Sequence, residues 1–140
     1  MIRSALTRRR AGKTGHYPHW QAVEKGARKL QTTGMIDQPW SRTEKELARE
    51  LFDEARERER QAILREIHSI LNAGKSLDVV WDVHDYLTKK RREMDEKYDF
   101  RYSQMILIFA RLIREGWLEE DELSGLRPEK LEAIRHLLSL

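Results

Sequence analysis

SRTEKELARELFDEARERERQAILREIHSILNAG, residues 41–74, reads as one helix from end to end. Ser41-Arg42-Thr43-Glu44 is a capping box: the Ser41 hydroxyl and the Glu44 carboxylate each satisfy an amide donor left free at a helix start. Leu47, Leu51, Ala55, Ala62, Ile63, Ile67, Ile70 and Leu71 then recur at three- and four-residue steps, the spacing of one helical face. Gly74 follows as a C-cap. The spacing predicts a helix over 42–73, about 48 Å long at 1.5 Å per residue. A spherical domain of about 100 residues is only about 34 Å across, so this helix overhangs any core the chain can build alone.

Outward from that segment, a second helix opens near Ser76 or Asp78 and runs through Val79, Val80, Val83, Tyr86, Leu87 and Met94 to Tyr98. The short break at Gly74 makes the two an antiparallel hairpin. Two long helices bury only part of their apolar stripes against each other. The same surface of a second chain is the expected cover, which gives a homodimer with a four-helix centre. Leu64 and Val80 are the candidate seam positions, with Trp81 at their edge. A third helix over 101–115 carries Met105-Ile106-Leu107-Ile108-Phe109 and stops at Gly116. Asp121, Gly125 and Pro128 punctuate one short turn and a last helix over 128–139, with Pro128 at a tolerated first-turn position. These pieces predict a small helical head at one end of the hairpin. No segment alternates with period two, so the fold class is all-α.

Apolar residues make up 39% and charged residues 36% of the 140, a balance that suits long helices with solvated faces. There is no cysteine, which excludes disulfides and thiolate metal sites. The longest uncharged apolar stretch, Met105 to Ala110, is too short to span a bilayer. The expected location is the cytoplasm.

The net charge of +3 conceals an asymmetry: residues 1–34 carry eight Lys/Arg against one acid, leaving nineteen against twenty-three in residues 35–140. Residues 1–34 hold Gly12, Gly15, Pro18 and Gly26 without an apolar period and read as a disordered basic extension. They are absent from the mature protein if translation starts at Met35, immediately before the domain spanning 35–140. No apolar segment follows Arg8-Arg9-Arg10, so a signal peptide is not expected. Gly12-Lys13-Thr14 resembles the end of a phosphate-binding loop, but position 7 is Thr and no buried strand precedes it. His16 and His19 flank Pro18, which spoils helical presentation.

On the second helix, Trp81 falls opposite the Val79, Val83, Tyr86 stripe. His84, Asp85, Thr88, Arg91 and Arg92 share its broad face at helical spacings. A large rigid ring beside planar charge-assisted donors is a typical protein-binding anchor. The alternative is that Trp81 covers the dimer seam while the charges form solvated pairs within the helix. Catalysis is a poor fit: adjacent residues on a helix diverge by about 100°, so His84 and Asp85 are not expected to form a dyad, and no nucleophile accompanies them. His68 and His136 sit on separate helices without carboxylate clusters of ligand spacing, so no metal site is expected. Leu107 points away from the Tyr102, Met105, Ile106, Phe109 stripe and is either enclosed by the head or an apolar contact.

Residues 81–99, WDVHDYLTKKRREMDEKYD, resemble the signature of the cyanobacterial fluorescence recovery protein family, with Trp, His-Asp, Lys-Arg and Lys-Tyr-Asp in register. The resemblance extends through Pro39-Trp40-Ser41, Phe109-Ala110, Glu115-Gly116-Trp117-Leu118, Gly125-Leu126 and Lys130-Leu131. What it implies is an antiparallel dimer that binds the activated orange carotenoid protein, chiefly at its C-terminal domain, and accelerates its red-to-orange reversion without covalent chemistry. It also implies that the chain has no cofactor, the carotenoid being the partner's, and works in the cytoplasm or at the cytoplasmic face of the thylakoid. The family's functional patch matches Trp81, His84, Asp85 and Arg91. The family's aromatic contact on the head is Leu107 here, an aliphatic in place of Phe. Its basic residue on the final helix corresponds to Ala133, so no charge role carries over. A nucleic-acid partner is not expected; the alternatives are another protein client for the same scaffold, or nucleic-acid binding through the basic arm.

Overall fold

In the computed structural model, the first described helix begins where the capping box places it. The Ser41 hydroxyl accepts from the Glu44 amide at 3.2 Å, and the Glu44 carboxylate accepts from the Ser41 amide at 3.1 Å. The structure describes residues 39–140, together with Lys25 and Arg28. The expectation of a disordered extension over 1–34 otherwise lies outside the described residues. Helix α1 spans Arg42–Ala73, α2 Val79–Lys97, α3 Tyr102–Glu115 and α4 Pro128–Ser139, with a 3₁₀ turn at Glu120–Leu123. Among the described residues there is no strand. Each helix starts and stops within about a turn of its expected bounds.

Two glycines end helices for different reasons. Gly116 closes α3 at φ 90°, a left-handed conformation that L side chains rarely adopt. Gly74 closes α1 in extended backbone at φ −72° and donates to the Ile70 carbonyl at 3.1 Å. Its need for glycine is spatial: a Cβ there would lie 2.6 Å from Val79 Cγ2. The hairpin turn is tight enough to press the first residue of α2 onto the end of α1.

α1 and α2 pack antiparallel. Lys97 meets Glu59 near one end of the pair, and Gly74 meets Val79 at the other. The head is larger than the elements after residue 101. Ala48, Leu51, Phe52 and Ala55 of α1 are buried in one cluster with Met105, Phe109 and Leu112 of α3, Leu123, and Ala133, Ile134 and Leu137 of α4. The N-terminal half of α1 is therefore a wall of the head, a role its apolar period alone did not distinguish from hairpin packing.

The C-terminal half of α1 is the overhang expected from its length. No residue of α1 beyond Ala62 is buried. Leu64 and Val80 are each 55% exposed, and Leu71, Leu77 and Leu87 are exposed beside them. The hairpin tip thus carries an apolar surface that its own chain leaves open to water. No described helix is long and apolar enough to cross a membrane.

A candidate docking face on the second helix

The stripe of α2 that turns toward α1 is half apolar and half cationic. Val79, Val83, Tyr86 and Met94 are half-buried, and Lys90 and Lys97 at the same helical spacing are buried outright. Everything singled out as a recognition residue lies outside that stripe. Trp81 is 64% exposed, with its ring 6.1 Å from the His84 imidazole, edge to face. The Thr88 hydroxyl donates to the His84 carbonyl at 2.9 Å.

His84 and Asp85 do approach one another, contrary to the divergence expected of helical neighbours. His84 Nδ1 lies 3.4 Å from Asp85 Oδ1. Both side chains are long enough and exposed enough to lean together across the 100° separation, at the outer limit of a hydrogen bond. The pair sits in open solvent beside an indole, and among the described residues no cluster of three or more His, Asp or Glu side chains is arranged for a metal. Its chemistry is that of a polar contact surface.

Arg91 stands ten residues beyond Trp81, about 15 Å along the helix axis. Its guanidinium donates to Asp95 at 3.2 Å, and the side chain is 82% exposed. Leu107 is on α3, half-buried against the head core. Within one chain, then, Trp81, His84 and Asp85 form a cluster near the hairpin tip, while Arg91 and Leu107 stand apart from it. Ala133 has no exposed surface, so a contact role there is closed to any side chain that keeps this packing.

The largest features missed from the sequence are buried ion pairs that join the hairpin to the head. Lys97 Nζ donates to Glu59 at 2.8 Å and to Glu115 at 2.5 Å. Tyr98 donates to Glu59 at 2.7 Å, and Arg111 to Glu115 at 2.9 Å. Farther up α1, Arg58 forks onto both Glu122 oxygens at 2.9 Å and donates to the Trp117 carbonyl. The capping carboxylate of Glu44 also takes the Arg127 amide at 2.9 Å and the Lys130 ammonium at 3.2 Å. The signal for these pairs is positional: Glu59 falls four residues after Ala55 and three before Ala62, on the apolar stripe itself.

Burial alone would raise the Glu115 carboxyl, but the Lys97 and Arg111 charges beside it prevail and hold it below its ordinary 4.5. Burial would likewise raise Glu44, and the Arg127 and Ser41 amides with Lys130 hold it down. A carboxyl whose folded pKa is depressed stabilises the fold above its unfolded pKa and ceases to do so as pH falls through the folded one. The melting temperature is therefore expected to be level from neutrality down to about pH 5 and to drop progressively below the ordinary carboxylate range. A melting curve followed by circular dichroism that is unchanged at about pH 3 would contradict this.

The family model described as photoprotection regulator fluorescence recovery protein matches residues 40–138. The chain belongs to the fluorescence recovery protein family. It is 37% identical over 102 residues to the fluorescence recovery protein of Synechocystis sp., a match covering 73% of this chain and 94% of that one. The solved fluorescence recovery protein of Fremyella diplosiphon is similar at a TM-score of 0.68 and 39% identity, covering 73% of this chain and all of that one. The solved Synechocystis structure is similar at a TM-score of 0.68 and 37% identity, with the same coverage. The role that goes with the fluorescence recovery protein family is regulation of photoprotection.

Proposed function

We propose that this chain binds the photoactivated orange carotenoid protein and accelerates its return from the red to the orange form, restoring phycobilisome fluorescence. Family membership supports the reading. The observation that carries it on this chain is the exposed Trp81, His84, Asp85 and Arg91 series along one helix, beside an apolar surface left open by the head. An accelerator of this kind holds the relaxing arrangement of its partner's two domains more tightly than the activated one, at about 1.4 kcal/mol of preference per tenfold in rate. Gripping the C-terminal domain while the N-terminal domain returns beside it supplies proximity. The carotenoid is the partner's, and this chain contributes no cofactor and no covalent step. The site of action is the cytoplasm, including the cytoplasmic face of the thylakoid.

The working form is a homodimer. An antiparallel pair of hairpins lays the tip of one chain, with Trp81, alongside the junction of the other, with Arg91 and Leu107, so the residues scattered in one chain draw together across two. Leu64→Glu or Val80→Glu is expected to convert the dimer to monomer at micromolar concentration, because each places a charge in a dry interface. Light scattering of the unmodified protein reads the same architecture directly, and a monomer there would reject it. The function itself is tested by mixing the purified protein with photoactivated orange carotenoid protein and timing the loss of red absorbance in the dark. An unchanged decay would refute the proposal.

A further inference from the structure

Between α1 and α2, on their shared flank near the head, runs an open groove of about 570 Å³. Its apolar lining is Ile63, Leu87 and Met94, and its cationic lining includes Arg56, Arg60 and Arg91. The charges along it are unevenly answered. Arg91 is met by Asp95 at 3.2 Å and Lys90 by Glu93 at 3.1 Å. Arg60 is met only by Glu57, at 3.7 Å. Arg56 is exposed and has no acidic partner among the described residues.

We infer that this groove receives an acidic amphipathic helix of the protein partner, whose carboxylates meet Arg56 and Arg60 while its apolar face lies on Ile63, Leu87 and Met94. The inference deepens the proposed function and rests on it for the partner's identity. Two antiparallel helices bounding an apolar trough suit a third helix laid along it. Guanidinium groups on both walls give such a helix its register, since each can take a carboxylate with two parallel donors. A second copy of this chain is the poorer occupant: seated here about a two-fold axis, it would bring its own Arg56 and Arg60 against these. The apolar surface toward the hairpin tip, with Leu64 and Val80, carries no such charge conflict.

The groove is tested on the full chain with two synthetic helical peptides that share leucines at i, i+3, i+4 and i+7. One carries Glu and the other Lys on the flanks of that stripe. Fluorescence anisotropy is expected to show binding of the Glu peptide alone, weakening as salt rises. Arg56→Glu should reduce that binding by about tenfold or more, with melting temperature and dimer mass unchanged. Equal binding of both peptides, or full binding to Arg56→Glu, would overturn the inference. So would a loss of dimer mass in Arg56→Glu, which would assign the groove to the second copy. The carotenoid-protein decay assay on the same samples separates the two readings. Slower acceleration by Arg56→Glu supports the groove as the partner's seat, and undiminished acceleration overturns it. Unmodified protein that binds the Glu peptide yet leaves the decay unchanged refutes the proposed function while the groove's preference for acidic helices stands.

Discussion

Lys97→Met is expected to destabilise the protein by about 3–5 kcal/mol, the cost typical of removing one partner from a buried ion pair. Lys97 is 6% exposed and lies between the carboxylates of Glu59 and Glu115. Without the ammonium, two buried acids face each other. Tyr98 still donates to Glu59 and Arg111 to Glu115, which keeps the loss finite. Methionine nearly matches the lysine in length and shape, so the lost charge rather than a cavity accounts for the effect. Urea unfolding of the variant measures it, and a loss under about 1 kcal/mol would show that the pair is effectively solvated. The double variant Lys97→Met with Glu115→Gln should recover part of the loss, because it removes one of the two stranded charges.

Arg91→Leu is expected to slow recovery of the carotenoid protein by at least about tenfold, equivalent to about 1.4 kcal/mol of lost transition-state preference. The fold should not register the change. The side chain is exposed and its only ion pair is with Asp95, one turn along the same helix, an arrangement that contributes little to stability. Leucine retains helix propensity and hydrophobic bulk while removing the planar donors. Trp81→Ala is the companion variant, and its ring is open enough for a partner to cover. Acceleration plotted against dimer content across these variants decides the matter. If activity falls only in step with dissociation, the residues support the dimer and do not touch the partner.

The helices were legible because their ends carry local chemistry. Ser41 and Glu44 bond each other within a single turn, and Gly116 needs a backbone conformation that few other residues adopt. The open face of the hairpin was legible from length, since no core of this size covers 32 helical residues. The division of α1 between head and hairpin was not. Ala48 and Ile67 share the same period, and only the arrival of α3 and α4 over the first half separates them. The buried charges escaped for a related reason. Lys90, Lys97 and Glu59 occupy positions on an apolar stripe, but composition counts them as surface until a partner from another helix is in place. The recognition set was read correctly as exposed at Trp81, His84, Asp85 and Arg91. Its scatter over one chain was hidden, because a helical wheel discards distance along the axis.

Helix α1 passes from the head into the hairpin without a break. The segment beyond Ala62 is a lever arm about 16 Å long, clamped at its base by packed side chains and the Lys97 pairs. A bend of about 10° at the clamp swings the tip by about 3 Å, comparable with the difference between a hydrogen bond made and one lost. Force applied at the tip is therefore felt at the head. A partner that holds the tip of one hairpin and the head of its neighbour would find the spacing between its two footholds set by the stiffness of a single rod.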